Sequence, residues 1–178
     1  GVMQMEVTLS SSRKKIREIT GYTFEDEKQS IESWVTRAQS FKAAATVLSQ
    51  SDISEVQYAY FYNAANSLEL ILKAVALFKG KGIPKTHKLQ DLARNLDLPF
   101  SIEQLDTLEL LSEIIIWSGR YPVPNKDSHW DNYHDVVQNK HIIRDGNITR
   151  ACPKRFPTLE NVSNIWDICY REVGGKSA

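Results

Sequence analysis

The sequence predicts an all-α protein, an up-and-down helical bundle with a Pro-rich, partly irregular insertion before its last helix. Five segments space their apolar residues by three and four, the repeat of one helix face. Most of these segments open on a Ser, Thr or Asp and stop at Gly or Pro. Strand-like character is confined to one short stretch, and no internal repeat or low-complexity tract competes with a bundle.

The first helix follows Thr23-Phe24-Glu25-Asp26, a start that resembles a capping box. It carries Ile31, Trp34, Val35, Ala38, Phe41, Ala45 and Leu48 on one side. The second opens at Asp52 with Glu55 three residues on, sends Leu68, Ile71, Leu72, Val75 and Phe78 to the core, and ends near Lys79-Gly80. A short third helix takes Thr86 as its cap, Leu89, Leu92, Ala93 and Leu96 as its stripe, and Pro99 as its limit. Ser101 with Gln104 caps the fourth. Its Leu105, Leu108, Leu111, Ile115 and Ile116 lead to Trp117, and Gly119 stops it. Thr158 caps the last helix, which places Leu159, Val162, Ile165, Trp166, Cys169 and Val173 together before Gly174-Gly175.

Between Gly119 and Pro157 the pattern breaks, and Pro122, Pro124, Pro153 and Pro157 fall there. A structureless loop of that length is unusual in a compact domain and often functional. Some order is expected within it. Trp130, Tyr133 and Val137 keep helical spacing, and Asp145-Gly146 between HIIR and NITR is a hairpin signal. The expected organisation is one helical domain over residues 1–178, with residues 1–22 flexible or a short helix and residues 119–157 as the insertion.

The 178 residues are 42% apolar and 25% charged, average for a globular chain and enough to bury a core. A net charge of zero excludes any bulk electrostatic argument for nucleic acid or membrane. No apolar run approaches the length of a membrane span, and GVMQMEVTLSSSRKK lacks an apolar signal core. A cytoplasmic location without membrane contact is therefore expected. The cysteines, Cys152 and Cys169, are too few for a disulfide framework or a cysteine-based zinc site, and Cys169 reads as a small buried hydrophobe.

Charge is placed unevenly. Residues 79–94 and 140–155 are basic, whereas Glu103, Asp106, Glu109 and Glu113 form an acidic run. The two basic segments, if adjacent, make a phosphate-binding patch; otherwise they are solvated loops. On the second helix Asn66, Glu69 and Lys73 share one face. Glu69 and Lys73 read either as a simple surface pair or as members of a polar pocket with Asn66 and Arg120.

The segment NAANSLELILKAVALFKGKGIPKTHKLQDL resembles the central signature of HEPN-domain proteins: an apolar helix with an internal Leu-Glu-x-x-x-Lys element, a Gly/Pro turn, then His-x-Leu. The residues that carry it are Leu68-Glu69, Lys73, His87-Lys88-Leu89 and, after the fourth helix, Arg120-Tyr121-Pro122, the last as in one HEPN-like subgroup. The resemblance spans about residues 30–125 and the last helix in outline. It implies a HEPN-like bundle that pairs as a homodimer. It also implies either a metal-independent endoribonuclease of a toxin–antitoxin, defence or RNA-processing system, or an inactive RNA- or nucleotide-associated accessory module.

Nuclease members of that family pair an Arg with a His four to six residues on. The Arg holds the phosphate and the His moves protons. Arg120 matches the Arg, but the next imidazole, His129, has eight residues before it, with Pro122 and Pro124 between. The reading is therefore a non-catalytic, RNA- or nucleotide-associated module whose ligand contacts are Asn66, Glu69, Lys73, His87, Arg120, Tyr121 and the basic loops. Alternatives are an endoribonuclease using Arg120 and His129, with His134 a more distant substitute, and a protein-interaction partner of a nucleotidyltransferase. Trp117, Tyr121, Trp130 and Tyr133 around the Pro-rich turn either stack RNA bases or pack the loop onto the bundle. Asp127, His129, Asp131 and His134 lack the spacing of a helical zinc pair. No metal or other cofactor is expected.

Overall fold

The computed structural model describes residues 2–175, with side chains from residue 11 onward. The chain forms two compact units that divide after Ser33. In the N-terminal unit, helix α1 runs Val2–Thr20 and α2 runs Phe24–Gln29. Gly21 turns the chain between them at φ 71°, a left-handed conformation that a Cβ disfavours. Thr23 caps α2, its hydroxyl accepting the Asp26 amide at 3.1 Å. The helix expected to run on from this cap instead breaks at Ser30, which is extended. The Ser30 hydroxyl accepts the Ser33 amide at 3.2 Å, so a new helix, α3 (Ile31–Ser49), starts there.

The second unit is built around α4 (Gln57–Phe78). Ala64, Ala65, Leu68, Ile71, Leu72, Ala74 and Val75 are fully buried on it. The small alanines let α5 (Leu89–Arg94), α6 (Ile102–Glu113) and α8 (Leu159–Glu172) all pack against it. Asp52 does not open this helix: a 3₁₀ turn over Ser54–Val56 precedes Gln57. Phe78, assigned to the core by spacing, is exposed at the helix end. Thr86 does not cap α5 either. Lys88 holds the cap position, and the Leu89 amide donates to Ser112 Oγ on α6 at 2.8 Å.

Both arms of the predicted Ser101–Gln104 capping box form, at 3.1 and 2.9 Å. Beyond Glu113 the coil of α6 widens into a π-helical turn over Ile114–Ser118. Such turns commonly re-aim side chains at functional sites. The Gly119 amide closes the turn on the Ile114 carbonyl at 2.9 Å. A Cβ on Gly119 would sit 2.8 Å from that carbonyl oxygen and 2.9 Å from Tyr62 Cδ2, so only glycine fits.

The insertion is largely ordered. Helix α7 spans Asp127–Val136, a second π-turn covers Val137–His141, and a hairpin pairs β1 (Ile142–Asp145) with β2 (Ile148–Ala151) in antiparallel register. A lone two-stranded hairpin is marginal; this one is anchored by the acidic run of α6. Lys140 bonds Asp106 and Glu109, Arg155 Nε donates to Asp106 at 2.9 Å, and His141 Nε2 donates to the Asp106 carbonyl at 3.1 Å. Hydrogen bonds and charges from Lys140 and Arg155 outweigh the upward push of burial and hold the Asp106 carboxyl below its ordinary range. The second basic segment thus spends Lys140 and Arg155 on the acidic run, and the phosphate patch anticipated from charge runs is reduced accordingly. In the first basic segment, Lys79 pairs with Glu172, Lys81 with Asp97 and Arg94 with Asp91.

Candidate functional site

The π-turn and α7 together build an aromatic cleft of about 460 Å³. Tyr58, Trp117, Tyr121, Trp130, Tyr133 and His134 line it, with Arg120 in the wall. Trp117 stacks on Trp130 with ring centroids 6.0 Å apart and meets Tyr133 edge-on at 5.3 Å. His134 lies 4.7 Å from Trp130. The Arg120 guanidinium sits over two rings, 5.6 Å from Tyr62 and 5.2 Å from Tyr121, and Nη2 donates to the Ile115 carbonyl at 3.4 Å. Among the described residues Arg120 forms no ion pair, so a pairing with Glu69 is absent.

His129 is turned elsewhere. It lies on α7 with Nδ1 3.1 Å from Glu113 Oε2. A carboxylate only accepts, so Nδ1 carries the proton and Nε2 is left for other partners. Glu113, at 6% exposure, also accepts from Trp117 Nε1 at 2.9 Å and from Asn132 Nδ2 at 2.9 Å. One buried carboxylate therefore ties the π-turn to α7 and sets the tilt of Trp117 in the aromatic cleft. Arg120 and His129 do not touch: Arg120 belongs to the aromatic cleft, and His129 lines two neighbouring clefts. The imidazole that shares a cleft with Arg120 is His134.

The stripe on α4 forms a second polar cluster. Glu69 and Lys73 are buried, at 7% and 8% exposure, which overturns their reading as a surface pair. Lys73 Nζ donates to Glu69, and His87 Nδ1 lies 3.0 and 3.1 Å from the two Glu69 oxygens. His87 itself is well exposed. The cluster pins the Gly/Pro turn before α5 to the central helix. Asn66 is not part of it; its amide donates to the Tyr62 carbonyl at 2.7 Å, one turn back. Asn66 and Arg120 thus meet different parts of Tyr62, its backbone carbonyl and its ring.

Glu113 was not singled out from the sequence. Its signal was present: a carboxylate inside the run LLSEIIIW sits where only apolar residues are expected, and such a residue needs buried partners. Among the described residues no group of His, Cys, Asp and Glu could hold a metal ion. His129 and His134 face different neighbours. No described helix is long and apolar enough to cross a membrane. Cys169 is fully buried, and burial pushes its thiol far up.

No curated protein and no solved structure matches this chain. The family model of the HEPN domain matches residues 31–143, from the start of α3 into β1. That span takes in the buried Glu69–Lys73–His87 cluster, the π-turn with Arg120 and the Glu113–His129 pair. The chain belongs to the HEPN domain family.

Proposed function

We propose that this HEPN domain is an RNA- or nucleotide-associated module that takes a base into its aromatic cleft and a phosphate on Arg120. The observation that carries the reading is the placement of an unpaired guanidinium in the wall of a cleft lined by five Trp or Tyr rings. Base–aromatic stacking is worth about 1–3 kcal/mol per base, and a guanidinium adds charge-assisted bonds to phosphate. The volume, about 460 Å³, falls in the ordinary range of small-ligand sites. Homodimer formation, common for such bundles, is part of the same proposal. Titration of adenosine monophosphate and single-stranded RNA, followed by tryptophan fluorescence, tests it. Quenching that is lost in Arg120→Ala and Trp130→Ala supports the reading, and unchanged fluorescence in the native protein refutes it.

A metal-independent endoribonuclease is the second reading, and one observation favours it. Glu113 holds Nδ1 of His129 protonated, which leaves Nε2 free to accept a proton from a ribose hydroxyl. The separation of His129 from the Arg120 cleft counts against a shared active site within one protomer. Incubation with RNA in chelator, beside Arg120→Ala and His129→Ala, separates the two: cleavage by the native protein alone, leaving a cyclic phosphate, establishes the nuclease.

A further inference from the structure

The aromatic cleft does not end at Trp117. Trp117 and Tyr121 also line a second cleft of about 180 Å³, together with Asn125 and Lys126. That cleft in turn shares Ile116 and His129 with a third, of about 340 Å³, which Lys88 and Ser128 also line. Three depressions with common walls make one groove alongside the first turns of α7. Its chemistry changes along its length. One end is rings; the other presents the exposed ammonium groups of Lys126 and Lys88, with His129 in the wall common to both polar clefts. Neither lysine enters an ion pair among the described residues, unlike Lys79, Lys81 and Lys140. The carboxylate of Glu109, in the same third cleft, is engaged by Lys140, and that of Glu113 by its three donors. The two cations are therefore the uncommitted charges of the groove's polar end, as Arg120 is of its aromatic end.

We infer that this polar end is a phosphodiester subsite, and that the groove takes a nucleic-acid strand of two or more nucleotides. One base occupies the aromatic cleft, and the backbone of the adjoining nucleotides runs past Lys126 and His129 to Lys88. The inference rests on the nucleotide reading of the aromatic cleft and goes beyond it, since neither lysine contributes to the binding of a single nucleotide there. A strand that meets two lysines also predicts its own salt dependence. Each neutralised phosphate on a single strand contributes roughly −0.7 to the slope of log affinity against log salt.

Binding of adenosine monophosphate and of oligoadenylates two, three and six nucleotides long, measured by calorimetry over a range of salt, is the test. The expected result is a gain of at least about tenfold from one nucleotide to three. In Lys88→Ala/Lys126→Ala that gain disappears, and the trinucleotide slope falls by about 1.4. Arg37→Ala, which removes an exposed charge outside all of these clefts, controls for general electrostatics and should retain the gain. Equal affinity for one and three nucleotides overturns the subsite while leaving the aromatic cleft standing. A gain that survives in the double variant also overturns it. Failure of every length to bind overturns both readings.

Discussion

Replacing Glu113 with alanine should destabilise the fold out of proportion to the size of the side chain removed. The carboxylate accepts from three donors, and the three differ in what they face once it is gone. Trp117 is 5% exposed, so its indole N–H would be left buried without a partner, at a cost of about 1–3 kcal/mol. His129 and Asn132 are reached by water and would lose about 0.5–1 kcal/mol each. The sum, about 2–5 kcal/mol, corresponds to a fall in Tm of about 2–4 °C per kcal/mol for a chain of this length. Urea unfolding of Glu113→Ala, Trp117→Phe and the double variant completes a cycle that isolates the indole–carboxylate bond. Trp117→Phe removes the donor and leaves Glu113 two partners, so its own cost should be about 1 kcal/mol. If Glu113→Ala costs less than about 1 kcal/mol, or if the two changes simply add, the carboxylate is not the tie between the π-turn and α7.

Gly119→Ala should cost about 1–3 kcal/mol in the same assay, because the added methyl meets a carbonyl oxygen that the helix cannot move; a neutral result would show that the π-turn is plastic. Burial, the largest influence on the His141 imidazole, lowers its pKa in the fold. The unfolded chain therefore takes up the proton first, and stability should fall as the pH drops below about 6.5; in His141→Gln this slope should be shallower, and an identical pH profile would refute the argument. Asp106 behaves oppositely: its carboxyl is held low in the fold, so its contribution is present above the ordinary carboxylate range and is lost as the pH falls through the lowered value. Asp106→Asn should cost about 1–3 kcal/mol at neutral pH and loosen the hairpin, which hydrogen exchange at Ile142 to Ala151 would read directly.

Features set by neighbours in sequence were legible, and those set by tertiary partners were not. The Ser101–Gln104 box, the Thr158 cap and the Asp145-Gly146 hairpin each depend on residues within a few positions, and each forms as read. Thr86 and Asp52 have the right chemistry for caps, yet the chain starts its helices at Leu89 and Gln57. In the first instance a bond from the Leu89 amide to Ser112, more than twenty residues away, decides the start. The break at Ser30 was hidden because a start signal at Thr23–Asp26 and an apolar stripe from Ile31 also fit one continuous helix. The insertion read as only partly ordered because much of its order comes from attachment rather than propensity. Its strands are short, and what holds them is the meeting of Lys140, His141 and Arg155 with Asp106.

The same distinction sorts the candidate site. Glu69 and Lys73 were visible as a pair because one helical turn separates them, but their burial was not, since an i, i+4 ion pair looks the same on a surface as in a core. Arg120 was found through its motif, and the aromatic residues around it through their density. Which imidazole shares a cleft with Arg120 was not legible. Proximity along the chain favours His129, yet a helix sends residues five apart to different faces. Once α7 forms, Trp130 and His134 fall toward the aromatic cleft, while His129 and Asn132 fall toward Glu113. The partner that decides this is Glu113 itself, a carboxylate in an apolar run that must find donors on whichever helix packs over it. Its need for donors orients α7, and that orientation allots one histidine to the cleft of Arg120 and the other to its own carboxylate.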